Sequence, residues 1–304
     1  MTNILLFIST VLIWGTTWIA ITMQVGPVPV LVSVFYRFAT AGIIMLVALA
    51  LMGKLKRPAL KHQPFIVAQA FCLFSCNFIC FYTASSYVHS GLISVIFSLA
   101  TIYNAINARI FFGDRVKPRT FVAGAIGMIG LLLLFGPDIL GKFDANSWKG
   151  LGLAALGTLF FSLGNMVSRR NSAVGISPVT ANAWGMGYGA LFLLVLIGVT
   201  GTPIVAPPDA RYIGAMLYLA VFGSVIGFTT YLMAVSRIGS AKAAYMTVLF
   251  PVVALTLSTI FEGYQWTPLA MIGLALTLLG NLVMFAPSLR RGSAVVLPAQ
   301  TKQA

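Results

Sequence analysis

Apolar residues along this chain come in ten runs of about 20, separated by short polar or glycine- and proline-bearing joints. The runs lie near 3–22, 30–52, 65–87, 91–112, 120–137, 149–168, 178–199, 211–235, 241–261 and 268–286. Each has the length an α-helix needs to cross roughly 30 Å of hydrocarbon. The pattern predicts an all-α polytopic membrane protein of ten transmembrane helices.

The first five runs resemble the last five. Sliding one half along the other by about 147–150 residues sets Trp14 and Gly15 on Phe161 and Ser162, Gly42 on Gly189, Ser90 on Ser240, and Asp114 near Glu262. Five is an odd number of crossings, so the second copy enters the bilayer from the opposite side. The expected units are 1–140 and, inverted, 147–287, followed by a mobile cytoplasmic tail over 288–304. Inverted repeats let two copies exchange conformations around a site near the midplane, which is the logic of alternating access. A duplicated structural membrane protein is the competing reading.

Composition agrees with the membrane class: 59% of residues are hydrophobic and 8% charged, unlike a soluble globular chain. The net charge of +14 would point to nucleic acid in a soluble protein, but its distribution makes it a topology signal. Lys54, Lys56, Arg57, Lys61, Arg109, Arg115, Arg119, Arg169, Arg170, Arg290 and Arg291 gather on one set of loops and the tail, whereas the other side carries only Lys142, Lys149 and Arg211. By the positive-inside rule the basic side, with both termini, is cytoplasmic. No nucleic-acid partner is expected. The first span has no basic flank before it and no small-residue cleavage site after it, so it reads as a span and not as a signal peptide.

Candidate enzyme chemistry is sparse. The chain has no phosphate-binding glycine loop, and its span interiors contain no paired acids or hydrolytic triad. No catalytic residue and no cofactor is expected. Cys72, Cys76 and Cys80 share one face of the third span, but a metal needs ligands converging from several directions, and only His62 and His89 occur elsewhere. Packing is the expected role of these thiols. All five acids fall at span ends or in loops. Coupling through a buried, proton-trading carboxylate is therefore not expected, and facilitated diffusion or another form of coupling is.

Polar and aromatic residues inside spans mark the candidate cavity. They are Trp14, Thr17 and Trp18 in the first span, Asn77 and Tyr82 in the third, Ser94 and Phe97 in the fourth, and Phe161, Ser162 and Asn165 in the sixth. Ser224 and Tyr231 come from the eighth, Tyr245 and Met246 from the ninth. Unpartnered amides facing lipid are costly, so Asn77 and Asn165 should face inward. Arg37 in the second span has two readings: its side chain snorkels to the outer interface, or its guanidinium meets an anionic group such as a substrate carboxylate. Trp184 stands at the matching place in the second half. Aromatic faces with sparse neutral polar groups suit a small amphiphile better than a sugar phosphate, which calls for several convergent cations. Pro251 interrupts the hydrogen-bond ladder of the ninth span and is the expected hinge. Gly124, Gly127, Gly130, Gly273 and Gly280 predict tight packing of each half's last span.

The motifs Leu12-Ile13-Trp14-Gly15-Thr16-Thr17, Tyr36-Arg37-Phe38 and Phe112-Gly113-Asp114-Arg115, with Phe250-Pro251 and Phe261-Glu262 in the second half, resemble the EamA branch of the drug/metabolite transporter superfamily. Within it the chain looks like the YddG type of amino-acid exporter. That resemblance implies ten helices around a central cavity, rocking of the three-four and eight-nine helix pairs, and export of aromatic and other neutral amino acids across a bacterial inner membrane. The expected partners are a small-molecule substrate and the bilayer, with the protein acting as a monomer. A multidrug or purine-type exporter is the rival within transport; a membrane scaffold or membrane enzyme is the rival outside it.

Overall fold

Backbone polar groups in hydrocarbon must be satisfied within their own segment, and helix is the regular structure the described residues adopt, with no strand among them. The structure is a computed structural model and describes residues 3–116, 118–134, 145–231 and 245–285. Seven helical segments are long and apolar enough to cross a membrane. They are α1 (Asn3–Thr22), α2 (Val30–Leu51), α3 (Leu60–Ala84), α4 (Ser90–Phe112), α6 (Ala145–Ala173), α7 (Pro178–Thr200) and α8 (Ala210–Tyr231). Three apolar helices are shorter: α5 (Pro118–Leu134), α9 (Tyr245–Phe261) and α10 (Pro268–Phe285). The chain is a multi-pass membrane protein. The predicted spans agree with these segments to within a few residues, apart from the end of the fifth and eighth and the start of the ninth, which lie outside the described residues, as does the tail.

Local chemistry explains several helix ends. Pro178 opens α7, where Ser177 Oγ accepts from the Thr180 amide at 3.2 Å, and Asp209 Oδ1 accepts from the Tyr212 amide at 2.7 Å at the start of α8. Gly113 closes α4 at φ 70, a conformation that favours glycine. The helix α9 runs through Pro251.

Three spans depart from the uniform helices that the sequence predicts. α3 carries a π-helical stretch over Cys72–Cys76 and α8 a longer one over Leu219–Ile226. In each, a serine donates to the carbonyl five residues back: Ser75 to Ala70 at 3.3 Å and Ser224 to Leu219 at 2.9 Å. The third departure is a break in α4 at Leu99, with amide bonds from Leu99 to Ile96 and from Ile102 to Leu99 that tighten the turn. Ser94 and Ser98, which donate to the carbonyls of Gly91 at 2.6 Å and Val95 at 2.7 Å, bend this part of the helix.

Packing follows small residues. α5 lies along α10, α2 along α7, α1 against α9, and α6 against α3 and α4. At the α5–α10 contact the backbones touch. A Cβ added to Gly130 would stand 2.6 Å from the Thr277 nitrogen, one on Gly273 2.6 Å from the Gly130 oxygen, and one on Gly280 2.7 Å from the Ala123 oxygen. Of the glycines predicted for this seam, Gly124 and Gly127 would point a Cβ toward α4 instead: one on Gly124 would make only ordinary contact with Ile102, and one on Gly127 would meet the Leu99 side chain at 3.1 Å.

Because backbone atoms cannot yield as a side chain end does, Gly273→Leu must separate α5 from α10. It should destabilise the protein by roughly 2 kcal/mol or more, read as a lower melting temperature in detergent. An unchanged melting temperature would show that the seam carries little stability.

Candidate functional site

Helical spacing aligns Trp14, Thr17, Trp18 and Ile21 along one face of α1, and this face forms one wall of a cavity in the middle of the bundle. Arg37 of α2, Asn77, Phe78 and Phe81 of α3, Phe97 of α4, Phe161 of α6, and Gly223 and Phe228 of α8 complete it. The aromatic rings form a continuous set: Trp18 lies 5.3 Å from Phe81 and 5.4 Å from Phe97, and Phe97 lies 4.7 Å from Phe161. Trp14 stands 5.1 Å from both Phe228 and Tyr231, and its indole N–H donates to the Gly223 carbonyl at 3.1 Å. The cavity volume is about 50 Å³, room for a few waters, and a phenylalanine-sized solute needs it to open.

Arg37 does not snorkel. It is 2% exposed, its Nε donates to Ser224 Oγ at 3.1 Å, and its guanidinium lies over the Phe78 ring at 4.3 Å and the Phe38 ring at 5.3 Å. The π-helical stretch of α8 presents Ser224 for this purpose: its hydroxyl hydrogen goes to Leu219 O, leaving oxygen lone pairs for Arg37. Nη1 of Arg37 is buried without a partner among the described residues. Asp114, Asp209 and Glu262, the described acids, stand at or beyond helix ends. The single ion pair among the described residues joins Arg169 to Asp114. A buried cation that faces the hydroxyls of Ser224 and Tyr82 and two aromatic rings, with no acid beside it among the described residues, is expensive. Such a residue in a membrane span is a candidate functional residue.

Trp14, Thr17, Arg37, Asn77 and Phe97 come together at this cavity, and Asn77 Oδ1 is buried there without a partner among the described residues. Ser224 stands one layer behind, holding Arg37, and Tyr231 packs on Trp14. Tyr82 does not line the cavity but adjoins its cation: it is fully buried, neighbours Arg37 and donates to Gln24 Oε1 at 2.8 Å. The other sequence candidates are elsewhere. Ser94 is spent on Gly91, and Asn165 Nδ2 donates to Asn104 Oδ1 at 3.3 Å. Trp184 donates to the Lys56 carbonyl at 2.9 Å. Met246 is buried in the core, and the Tyr245 side chain lies outside the described residues. Sequence reasoning missed Ile21, Phe78, Phe81, Gly223 and Phe228. For Phe81 a signal existed, since it stands at i+4 from Asn77 and shares its face.

A family model described as the EamA-like transporter family matches residues 1–136 and again residues 148–286. The chain belongs to the EamA-like transporter family. An uncharacterized inner membrane transporter of Escherichia coli (strain K12), YedA, is 28% identical over 276 residues, covering 88% of this chain and 87% of its own. A probable terminal-alkyne amino-acid exporter of Streptantibioticus cattleyicolor is 22% identical over 294 residues, covering 96% of each. A solved crystal structure has a TM-score of 0.68 at 19% identity, covering 92% of this chain and 95% of the other, a likeness in fold alone.

In this EamA-like chain, polar contacts close the bundle on either side of the cavity. The Glu262 carboxylate, just past α9, accepts from the Ser90 amide at 3.1 and 3.2 Å and from its hydroxyl at 2.6 Å, capping α4. Toward the other end of α4, Asn107 donates to Ser162 at 2.9 Å, and Arg169 of α6 forks onto Asp114 at 2.6 and 3.2 Å. The hydrogen bonds from Arg169 hold the Asp114 carboxyl below the ordinary carboxylate range. A lowered folded-state value makes the pair's contribution complete above the ordinary carboxylate range and lost only as pH falls through the lowered one. The melting-temperature difference between wild type and Asp114→Asn should therefore be the same at pH 5 and pH 8. A difference that shrinks across that interval would contradict the assignment.

Proposed function

We propose that this protein exports small amphiphilic metabolites, aromatic and other neutral amino acids above all, across a bacterial inner membrane by alternating access through the central cavity. The observation that carries the reading is Arg37, a buried guanidinium with an uncommitted N–H edge on an otherwise aromatic cavity. A carboxylate is the natural complement of that edge, and the rings accept an apolar side chain. A lone guanidinium is too little for a sugar phosphate, and its charge opposes lipophilic cations, which disfavours the multidrug alternative. The name of the Streptantibioticus relative and the likeness to the YddG type support the same substrate class.

The proposed architecture is ten transmembrane helices in two inverted units, 1–140 and 147–287, with both termini and the tail cytoplasmic. The double match of the family model supports the duplication. So do the two π-helical stretches, whose serines Ser75 and Ser224 fall within the offset that aligns the sequence halves. In this arrangement Glu262 and Ser90 fasten the outer end of the cavity, and the α4–α6 contacts fasten the inner end. Opening requires one set to part, with the break at Leu99 and the proline at Pro251 as bending points. Since the described acids are outside the span interiors, flux should follow the substrate gradient without a proton partner.

Purified protein in liposomes should give saturable flux of labelled phenylalanine that persists when the pH gradient is abolished. Strict dependence on a proton gradient would refute the coupling, and no phenylalanine flux from folded protein would refute the substrate class. Gly223→Ala tests the cavity itself, because the added Cβ would stand 2.8 Å from Thr17 Cγ2 and 3.3 Å from Arg37 Nη2. It should lower flux about tenfold, a cost of ~1.4 kcal/mol, with little change in melting temperature. Wild-type flux in this variant would move the substrate path away from the α1–α2–α8 wall.

A further inference from the structure

We infer that Asn77 reads the substrate's ammonium group, so that the cavity selects solutes carrying a positive and a negative group on one carbon and rejects those carrying either alone. The inference rests on the proposed transport reading and adds a second recognition element to it.

Asn77 is 1% exposed, yet its Oδ1 accepts from no group among the described residues. Buried amides in packed helices are nearly always satisfied by their neighbours. In the same bundle Gln69 donates to Asn182 at 3.0 Å, Asn171 to Gln69 at 3.0 Å, and Asn107 to Ser162 at 2.9 Å. Two buried amides, Gln24 through its Nε2 and Asn77 through its Oδ1, lack a partner among the described residues, and of the two it is Asn77 that lies on the cavity wall together with Arg37. Phe78, the next residue, has its ring under the Arg37 guanidinium at 4.3 Å, and all three residues line one small cavity.

The chemistry divides cleanly between them. Arg37 offers donors and a positive charge but no acceptor; Asn77 offers an amide oxygen, an acceptor that an ammonium N–H can use. The rings of Trp18, Phe81 and Phe97 add faces that attract a cation. An α-amino acid presents its carboxylate and ammonium one carbon apart and satisfies both residues. A plain carboxylic acid leaves Asn77 unsatisfied, whereas a plain amine leaves Arg37 unpaired and adds a like charge beside it. A site built to bond a substrate N–H rejects the analogue lacking it. For one charge-assisted bond the expected margin is about 10- to 100-fold.

The test measures binding and transport separately on the purified full-length protein. Binding is read from quenching of tryptophan fluorescence, since Trp14 and Trp18 line the cavity, and transport from uptake of labelled phenylalanine into liposomes. The ligands are phenylalanine, 3-phenylpropanoate, which lacks the ammonium, and phenethylamine, which lacks the carboxylate. Wild type should bind phenylalanine at least tenfold tighter than either analogue. In Asn77→Leu the margin over 3-phenylpropanoate should collapse to within about threefold while the margin over phenethylamine persists. Asn77→Ala gives the same expectation should the leucine variant fail to fold. A variant that keeps the wild-type margin over 3-phenylpropanoate overturns the inference, as does a wild type that binds phenylalanine no tighter than 3-phenylpropanoate. Selective binding without uptake would instead overturn the transport reading and leave the role of Asn77 standing.

Discussion

The hydrogen bond from Arg37 to Ser224 joins the two halves of the chain at the point where the bundle is hollow. It exists because α8 gives up regular α-helical bonding over Leu219–Ile226, which lets a serine back-bond to Leu219 and turn its oxygen toward α2. The same stretch exposes the Gly223 carbonyl to the Trp14 indole and, by leaving Gly223 without a side chain, makes room for Thr17 and Arg37. Three walls of the cavity are therefore positioned by one local irregularity. The cost of burying a guanidinium is tolerable only because those contacts are already in place.

Elsewhere the bundle is held by close approach of backbones. Where hydrocarbon surrounds every helix, burying leucine against leucine offers little over leaving it in lipid, so association relies on packing and a few hydrogen bonds. The α5–α10 seam is the plainest case. Polar contacts join the helices at both ends of α4, at the Glu262 cap and where α4 meets α6, and between α3, α6 and α7 through Gln69, Asn171 and Asn182.

Periodicity made the helices legible, and with them the α1 face of Trp14, Thr17 and Trp18, since a 3.6-residue repeat determines which side chains share a wall. Arg37 was visible as an anomaly, but whether it pointed out or in depended on Ser224, 187 residues further on, and no local pattern carries that. Phenylalanine is ambiguous in a membrane chain because it suits lipid and cavity equally, and this hid Phe78 and Phe228. Tyr82 and Asn165 carry the opposite ambiguity: a polar side chain inside a span has to find a partner, and among the described residues these two donate to Gln24 and Asn104. Neither the π-helical stretches nor the break at Leu99 has a sequence signature stronger than a serine in an apolar run.

The buried charge of Arg37 has a kinetic consequence under the proposed reading. With a zwitterion aboard, the guanidinium has its counter-ion and the cavity can seal around a neutral ensemble. Unloaded, the same sealing leaves the guanidinium to Ser224 and its aromatic neighbours, without a counter-ion. The slow half of the cycle is then the return of the unloaded protein, and solute waiting on the far side hastens it, so the molecule behaves as an exchanger even though no ion is coupled to it.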